Sequence, residues 1–401
     1  MIRACLFGTY NATHPANRLL AETLAAAGCE LSTCHQPLWE GTRDKMASFF
    51  AAPSLVRLAI GYVAAARRLR SAWRAQPLPE LLVTGFNGQL DVLLGRRLAG
   101  RRVRHVFAPL VTLTETLVED RRVYRRGGLR ARLAATLDRW TLASADLVLL
   151  DTDAHRTWVG EQLGAAAATA TLHLGAEQSF APAPPRVRAA SDPLRVLFYG
   201  QYVPLHGTTT IVEAAAAIGA GNGVEVTMIG TGPDRVATEA LARSRGCTHV
   251  RFEDWVSYER LPERLAGCDV ALGIFGASAK AEMVIPTKVY QAAAVGRAVV
   301  SRDSPALREI FTPGESVIAV PCADPAALAG ALCGLRDAPA LPPRIGAAAA
   351  RVVAETVSSE RRGARLATIL AGAFPELAAR LPASPVVPRP ATAGARAPAA
   401  F

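Results

Sequence analysis

Lysine is almost missing from this chain. Of its 45 basic residues only Lys45, Lys280 and Lys288 are lysines, and the others are arginines. Such a bias usually reflects coding preference rather than function. A single arginine is therefore weak evidence for a binding site in this sequence, whereas a lysine is stronger evidence.

Cysteine pairs and long apolar segments are also missing. The seven cysteines form no CxxC pair and their number is odd, which indicates free thiols rather than a zinc site or a disulfide framework. No apolar stretch without charges is long enough to span a bilayer. The first ten residues, MIRACLFGTY, predict a strand and a loop rather than a signal peptide. Together these absences predict a cytoplasmic protein.

The positive charge is concentrated in the first half of the chain. Residues 1–190 carry 24 basic against 15 acidic residues, and residues 191–401 carry 21 against 19. A basic half suits an acidic partner, such as an anionic membrane or a phosphorylated substrate. An arginine-rich solvated surface explains the same charge equally well. The sequence has no nucleic-acid recognition motif, so no nucleic-acid partner is expected.

The pattern of apolar runs predicts an α/β protein of two domains. Short buried runs alternate with helical patterns almost throughout, which is typical of parallel strands joined by crossover helices. The predicted strands are 3–8, 80–84, 103–107, 145–150, 170–174, 194–200, 224–230, 248–252, 269–274, 297–301 and 317–320. We expect a first domain at 1–180, a linker at 181–193, a second domain at 194–342, helices at 343–380 that are free to pack back on the first domain, and a disordered tail at 381–401.

Glycine-rich turns follow several strands of the second half. A glycine at a strand end, with another ahead of a helix, lets the backbone approach an anion, and the helix N-terminus adds partial positive charge. Each turn alone fits an ordinary strand-to-helix connection equally well. The four segments are VLFYGQYVPLHG at 196–207, MIGTGP at 228–233, IFGASAKAEMVIPTKVYQ at 274–291, and AVGRAVV at 294–300 followed by Pro305, Glu309 and Gly314.

In this order and spacing the four segments resemble the C-terminal domain of the family-4 glycosyltransferases of the GT-B fold. The resemblance covers roughly residues 140–335 and includes LHLGAE at 172–177, which is similar to the family's PNGVD segment. It implies two doubly wound, Rossmann-like domains that face each other across a cleft. It also implies transfer of a sugar from a nucleoside-diphosphate sugar to an acceptor hydroxyl, with retention, with the nucleotide sugar as co-substrate and with no metal or other cofactor.

The chain departs from the family where charge matters. Gln201 and His206 stand where the family has cations against the donor diphosphate. Gln291 stands where the family has its second glutamate. At the place of the first glutamate stands Met283, with Glu282 one position away.

Other groups must then act on the departing diphosphate, which gains negative charge as the glycosyl bond breaks. Lys288 and Lys280 lie within this motif, so we expect them, with Glu282, to be the catalytic groups; surface lysines are the alternative. Because an amide both donates and accepts, Gln291 is predicted to hold the donor ribose, and a glutamate there is predicted to be tolerated.

The resemblance assigns further residues to the donor site. Glu309 is expected near the diphosphate or the sugar, although a helix-surface carboxylate is the alternative. His206 is expected on the phosphate or the sugar, although it could equally cap its own turn. The remaining expected donor contacts are Gly200, Gln201, Gly207, Gly230, Gly232, Val256, Pro286 and Thr287.

Polar residues after first-domain strands are candidates for the acceptor side of the cleft, because open α/β sheets bind ligands at the carboxyl ends of their strands. They are Thr9, Tyr10, Asn11, Asn87 and Thr112. A capped helix start explains the first three equally well. Asp151-Thr152-Asp153 follows a strand and is interpreted as a turn rather than a metal site.

Two basic segments suggest contact with an anionic membrane at its inner face. Residues 53–75 combine arginines with apolar residues, and residues 96–132 hold 11 arginines against three acids. Basic amphipathic helices can lie on anionic membranes. A core helix with a solvated face is the alternative for 53–75.

Two other function classes remain open at this point. One is a sugar-nucleotide epimerase or a phosphorylase on the same fold, which would use the donor without an acceptor alcohol. The other is a catalytically idle binding or scaffold subunit, because a fold alone does not give a function. Neither the donor base and sugar nor the acceptor is specified by these motifs.

Overall fold

The computed structural model of the chain describes residues 1–38, 52–164, 167–189 and 191–382, and for residues 52–56 it describes the backbone alone. Nearly all of the predicted disordered tail, and Lys45, lie outside these residues. Within the described part of the chain, no helix has both the length and the apolar character needed to cross a bilayer.

The strands form two parallel sheets of six. The first sheet consists of β1 (Ile2–Gly8), β2 (Cys29–His35), β3 (Leu81–Thr84), β4 (Arg104–Phe107), β5 (Leu147–Leu150) and β6 (Ala168–Thr171). The second consists of β7 (Leu194–Tyr199), β8 (Val224–Ile229), β9 (Val250–Glu253), β10 (Val270–Leu272), β11 (Ala298–Arg302) and β12 (Ile318–Val320). The strand orders are β2-β1-β3-β4-β5-β6 and β12-β11-β10-β7-β8-β9. The prediction of two doubly wound, Rossmann-like domains is confirmed.

Helices cover both sheets. Those that follow first-domain strands are α1 (Pro15–Ala26), α2 (Ala52–Ala75), α3 (Gln89–Ala99), a π-helical turn (Glu115–Asp120), α4 (Leu129–Ala143) and α5 (Asp153–Leu163). Those of the second domain are α6 (Thr208–Ile218), α7 (Arg235–Ser244), α8 (Leu261–Ala266), α9 (Ala279–Met283), α10 (Thr287–Ala294), α11 (Pro305–Arg308), α12 (Pro325–Asp337) and α13 (Leu341–Thr356). Then follow α14 (Ser359–Ala373) and α15 (Pro375–Ala378).

Each sheet has one point where its winding reverses. In the first sheet this point lies between β1 and β3, and in the second between β7 and β10. Neighbouring crossovers leave a crevice at the carboxyl ends of the strands there, which is where open α/β sheets bind ligands. The turns after β7 and β8 carry the first two glycine-rich segments, so the fold brings those segments to this crevice.

Three local predictions differ from the structure. Strand β2 was not expected, because it is an edge strand that pairs only with β1 and its sequence CELSTCH is largely polar. Strand β6 spans 168–171 rather than 170–174. The helical pattern at 343–372 predicts one long region, but the structure has two helices there, because the Ser358 side chain caps a new helix by accepting from the Arg361 backbone N–H.

The two C-terminal helices pack on different domains. α13 lies on β11 and α10 of the second domain, whereas α14 lies on α1 of the first. There Leu366 and Leu370 enter the same buried cluster as Leu20 and Leu24. The chain thus crosses between the domains a second time after its passage at 172–193.

We expect Gly346→Ala to destabilise the fold by about 1–3 kcal/mol, because a Cβ there would lie 2.8 Å from the Gly296 carbonyl carbon, where α13 meets the turn before β11. Gly330→Ala is the matched control, since its Cβ would meet nothing within 4 Å. In that exposed helix position alanine should stabilise by up to about 1 kcal/mol. Urea unfolding of both variants checks the prediction, and two shifts of the same sign would contradict it.

Candidate active site

Glycines hold the turns after β7 and β8 against each other. Gly200, Gly230 and Gly232 all have positive φ, at 144°, 129° and 153°. A Cβ on Gly232 would lie 2.5 Å from the Tyr202 backbone nitrogen, and one on Gly230 would overlap the Gly200 carbonyl oxygen. Only glycine fits these positions. The turns therefore present bare backbone at the crevice.

Gly207 supplies the same freedom at the start of α6. It has a left-handed conformation and serves as the N-cap of that helix. A Cβ on it would lie 2.7 Å from the Phe275 carbonyl carbon, in the loop after β10. The N-terminus of α6 is therefore held against this loop, beside the turn after β7.

The ammonium group of Lys288 is buried beside these turns. Lys288 is the second residue of α10 and is only 7% exposed. Its Nζ lies 4.1 Å from the centre of the Phe198 ring and has no hydrogen-bond acceptor among the described residues. Burial lowers the pKa of this ammonium group well below its usual value. The charged form of Lys288 is therefore costly without an acceptor, and an anion bound at this place would favour that form.

His206 lies beside Lys288 but is not a second cation in this structure. Burial lowers the pKa of His206 well below its usual value, and the nearby Lys288 charge lowers it further. Its Nδ1 makes a hydrogen bond with the Gln201 carbonyl oxygen, so the neutral ring carries its proton on Nδ1. The ring is therefore neutral and bonded within its own turn, and the expected contact of His206 with the phosphate or the sugar stays a prediction.

Arg121 of the first domain approaches the same place from across the crevice. It follows the π-helical turn and its Nε lies 3.4 Å from an Asp120 oxygen. Its charge contributes to lowering the pKa of His206 and also acts on Asp234 of the second domain. Sequence reasoning missed Arg121, because nothing distinguishes it from the chain's other arginines.

Lys280 lies instead in a buried cluster of charges between the domains. Its Nζ is 3.3 Å from Glu115 Oε1 and donates to the Thr116 hydroxyl at 3.1 Å. His155 joins the same cluster, with Nε2 2.7 Å from Glu115 Oε2 and Nδ1 2.6 Å from Asp151 Oδ1. The expected catalytic role of Lys280 is corrected to an ion pair across the domain interface.

The cluster keeps its members charged. Burial alone would lower the pKa of His155, but Glu115 and Asp151 outweigh it and raise that pKa to about 10. Burial alone would raise the pKa of Glu115, but His155 and Lys280 lower it to about 2. Thr112, expected to face an acceptor, is buried and donates its hydroxyl proton to Glu115 at 3.2 Å.

Glu309 joins the domains at a second point. Its carboxylate accepts from the backbone N–H groups of Asp153 and Ala154, both at 2.8 Å, at the N-terminus of α5. His173 Nε2 lies 2.8 Å from the same carboxylate. A carboxylate at a helix N-terminus is stabilising. Both Glu309 oxygens therefore already have hydrogen-bond partners within the protein. The expected contact with the diphosphate or sugar is corrected accordingly.

Glu282 faces outward. Its side chain is 59% exposed and its Oε1 lies 3.3 Å from the Arg302 guanidinium. The adjacent Met283 is buried, and its carbonyl oxygen accepts from the Thr152 hydroxyl of the first domain at 2.5 Å. On this geometry Glu282 is a surface ion-pair partner rather than a catalytic carboxylate.

Gln291 lies in a buried network that uses both its polar atoms. Its Oε1 accepts from the Tyr199 hydroxyl at 2.9 Å. Its Nε2 donates to the Tyr258 hydroxyl at 2.5 Å and to Glu177 Oε2 at 3.2 Å. Arg18 of α1 donates to the other Glu177 oxygen at 3.0 Å. Gln291 therefore positions Glu177 and Tyr258, and the structure gives it no free atom for a ribose.

Four expected donor contacts lie where α10 begins or in the loops after β7 and β9. Pro286 is the N-cap residue of α10 and Thr287 is its first residue, so both lie next to Lys288. Gln201 is exposed at the turn after β7. Val256 is half-buried in the loop after β9, where it packs beside Tyr258.

The first-domain candidates mostly point into the fold. The Thr9 backbone N–H and hydroxyl donate to Asp91 Oδ2 at 2.7 and 3.0 Å, and burial raises the pKa of Asp91 to about 6. Tyr10 is buried against the His35 ring at 4.4 Å. The prediction that Thr9 and Tyr10 face the acceptor is corrected, because both are buried and engaged beneath the loop.

Asn11 and Asn87 remain at the rim of the crevice. The Asn11 side chain accepts from the Thr13 backbone N–H at 2.9 Å, in the loop ahead of α1, whose N-cap is His14. Asn87 has a φ of 68° in the turn between β3 and α3. Behind them a cavity of about 40 Å³ opens at the ends of the first-domain strands. Its lining is mainly apolar and includes Phe86, Leu110 and Leu174.

No metal-binding group emerges from the described residues: no set of three or more His, Cys, Asp and Glu side chains there is arranged to hold an ion. Metal independence, which the family resemblance implies, therefore stays a prediction. The Asp151–Thr152–Asp153 segment is the N-terminal boundary of α5, where Thr152 is the N-cap.

We expect His155→Gln to cost about 3 kcal/mol of stability at pH 7, because it leaves the buried Asp151 carboxylate without its cation and leaves Glu115 with Lys280 alone. The raised pKa of His155 fixes the sign of the pH dependence. Its contribution is complete below its ordinary pKa near 6.5 and is lost as the pH rises toward about 10.

The difference in unfolding free energy between the wild type and His155→Gln should therefore shrink between pH 7 and 10. Urea unfolding of the wild type and the variant across this range measures the difference. The matched control is His249→Gln, which lies outside the cluster and should show no such convergence. A deficit that stays constant with pH would contradict the assignment.

Gln291→Glu should now destabilise the protein by roughly 1–3 kcal/mol, against the expectation from sequence, because it sets a second carboxylate against Glu177. Gln291→Leu should cost a similar amount by leaving Tyr199 and Glu177 short of a partner. The double variant Gln291→Glu with Glu177→Gln should recover much of the loss. A double-mutant cycle by urea unfolding tests this, and a fully stable Gln291→Glu would refute it.

Comparison with known proteins agrees with this geometry. Residues 193–337 match the family model described as Glycosyl transferases group 1. Sucrose-phosphate synthase from Thermosynechococcus elongatus superposes with a TM-score of 0.72 at 16% identity, over 93% of this chain and 99% of that one. No curated protein sequence is significantly similar.

Anabaena HepE has the same arrangement. Its complex with UDP superposes with a TM-score of 0.65 at 12% identity, and its complex with UDP-glucose with 0.64 at 13%, each over 93% of this chain and 100% of that one. At these identities a structural likeness establishes the fold alone. The resemblance seen in the four segments is thereby confirmed: the chain has the GT-B fold, and residues 193–337 of its second domain are similar to the group 1 glycosyltransferases.

Proposed function

We propose that this protein transfers a sugar from a nucleoside-diphosphate sugar to an acceptor hydroxyl. The observation that carries the proposal is the Lys288 ammonium, buried without an acceptor beside the bare backbone of Gly200 and Gly230. The family of the second domain and the UDP-glucose held by the similarly folded HepE support this class of donor.

In this reaction the bond between the anomeric carbon and the diphosphate oxygen breaks, and its electron pair stays on the diphosphate. The acceptor oxygen forms the new bond to the anomeric carbon, and its proton passes to the departing diphosphate. A cation next to the departing oxygen lowers the barrier, because negative charge grows there. We assign this role to Lys288 of the second domain, whose Nζ lies over the Phe198 ring, and to Arg121 of the first, whose charge acts on His206.

The backbone N–H groups at the start of α6 also favour a negative charge in the crevice. Helix N-termini bind anions because their first N–H groups have no partner in the helix. Gly207, as the N-cap of α6, brings no side chain that would cap these groups. A neutral His206 is compatible with this arrangement, since an anion beside it would favour its protonation.

Retention of the anomeric configuration and independence of a metal belong to the same proposal, as the family resemblance implies. The acceptor would enter from the first-domain side, where the cavity is mainly apolar. If an epimerase or a phosphorylase shared this fold, the donor would be consumed without an acceptor alcohol. An idle subunit would bind the donor without consuming it.

Lys288→Met should have opposite effects on function and on stability. Turnover should fall on the order of 100-fold, because the variant loses a cation at the leaving group. Stability should stay unchanged or rise, because a buried charge without an acceptor is removed. Lys280→Met should instead destabilise the fold, because it leaves Glu115 with less compensation.

The assay first finds the base with a thermal-shift panel of UDP, GDP, ADP and dTDP. It then measures release of the nucleoside diphosphate from the corresponding nucleotide glucoses. Arg243→Met, an exposed cation change in the same domain, is the control and should behave as the wild type. Turnover of Lys288→Met within about threefold of the wild type would refute the role of Lys288. No shift with any of the four nucleotides would refute the proposed function.

A further inference from the structure

Helix α4 is apolar on the side that faces away from the protein. Leu129, Leu133 and Trp140 are 84%, 68% and 63% exposed. At about 100° per residue these three lie within about 40° of one another around the helix axis. The buried residues of the helix occupy the opposite side and are Ala131, Ala134, Asp138, Thr141 and Leu142. A surface helix normally has the reverse pattern, with its polar side outward.

Arginines flank this apolar stripe on both sides. Around the helix axis, Arg130 lies to one side of the stripe, and Arg132 and Arg139 lie to the other. All three are exposed. The preceding loop adds further exposed arginines: Arg122, Arg125 and Arg126. We call the stripe and these six arginines the α4 outer face.

The acidic residues of this region point inward or are paired. Asp138 is buried and accepts from the Leu113 and Thr114 backbone N–H groups at 2.9 and 2.7 Å. Asp120 is buried, and Glu119 is paired with Arg126. The charge that the α4 outer face shows to solvent is therefore positive.

The neighbouring helices extend this surface. α2, α3 and α4 lie side by side on one face of the first sheet. On α2, Ile60 and Val63 are 65% and 51% exposed. Arg67, Arg70 and Arg74 of the same helix are also exposed.

We propose that the α4 outer face docks on a bilayer that contains anionic phospholipids. Apolar side chains that stand out from a convex helix need no matching pocket in a bilayer, and a tryptophan between arginines suits the headgroup boundary. A second copy of this chain is disfavoured, because like faces would set arginines against arginines. An acidic protein would need a groove to receive three protruding apolar side chains.

The test is flotation of the full chain with vesicles of phosphatidylcholine alone and with 30% phosphatidylglycerol. We expect binding to the anionic vesicles only, and weaker binding at high salt, because the arginine attraction is screened. The triple variant Leu129→Gln, Leu133→Gln, Trp140→Gln should bind the anionic vesicles at least on the order of 10-fold more weakly than the wild type. All three side chains are exposed, so folding should be kept, as circular dichroism would verify.

The matched control is Val187→Gln with Val236→Gln, two side chains that are 92% and 76% exposed elsewhere. It should float as the wild type does. Trp140→Phe should float normally but lose a vesicle-induced blue shift of tryptophan fluorescence. Equal flotation of the triple variant and the wild type, or no flotation at low salt, would overturn the proposal. So would a wild-type dimer in light scattering that the triple variant abolishes, since it would assign the face to a second copy.

Discussion

The arrangement of the two domains depends on a buried series of alternating charges. Asp151, His155 and Glu115 of the first domain follow one another at hydrogen-bond distances, and Lys280 of the second domain completes the series. Each of these groups would be very costly to bury alone. Separating the domains would leave Glu115 without one cation and Lys280 without its partner. The series therefore favours one relative placement of the sheets, and the Glu309 carboxylate at the start of α5 reinforces it.

The relative placement of the domains gives the two lysines of one motif different roles, one at the domain interface and one in the proposed reaction. Lys280 and Lys288 are equally buried. Lys280 meets the acids of the opposite domain and becomes part of the interface. The Nζ of Lys288 lies over the face of Phe198, and no acceptor for it is found in the part of the chain that the structure describes. Burying this ammonium group without a partner costs free energy, and an anion that binds there would offset that cost. The sequence marked both lysines, but only the position of Glu115 separates their roles, and Glu115 lies more than 160 residues from either.

The sequence predicted the fold correctly where burial determines which residues form strands. Strands such as β7 and β8 are central and apolar, so their runs and the glycines after them were predicted. β2 was missed because an edge strand buries one face and tolerates polar residues. For the candidate site, the sequence identified Gly200, Gly230 and Lys288, which the structure brings to the same crevice. It was misread where a side chain's role depends on a distant partner, as for Glu309 at the start of α5 and Thr9 above Asp91.

Gln291 shows the limit of a family pattern most clearly. The pattern expects a carboxylate at 291, and this chain has an amide. A carboxylate is nevertheless present next to it, because Glu177 on the segment between the domains lies 3.2 Å from the amide nitrogen. Arg18 and Tyr258 hold the oxygens of Glu177. With a glutamate at both positions, two buried carboxylates would repel each other. The amide at 291 and the acid at 177 are therefore physically coupled, and neither substitution can be interpreted from its own position alone.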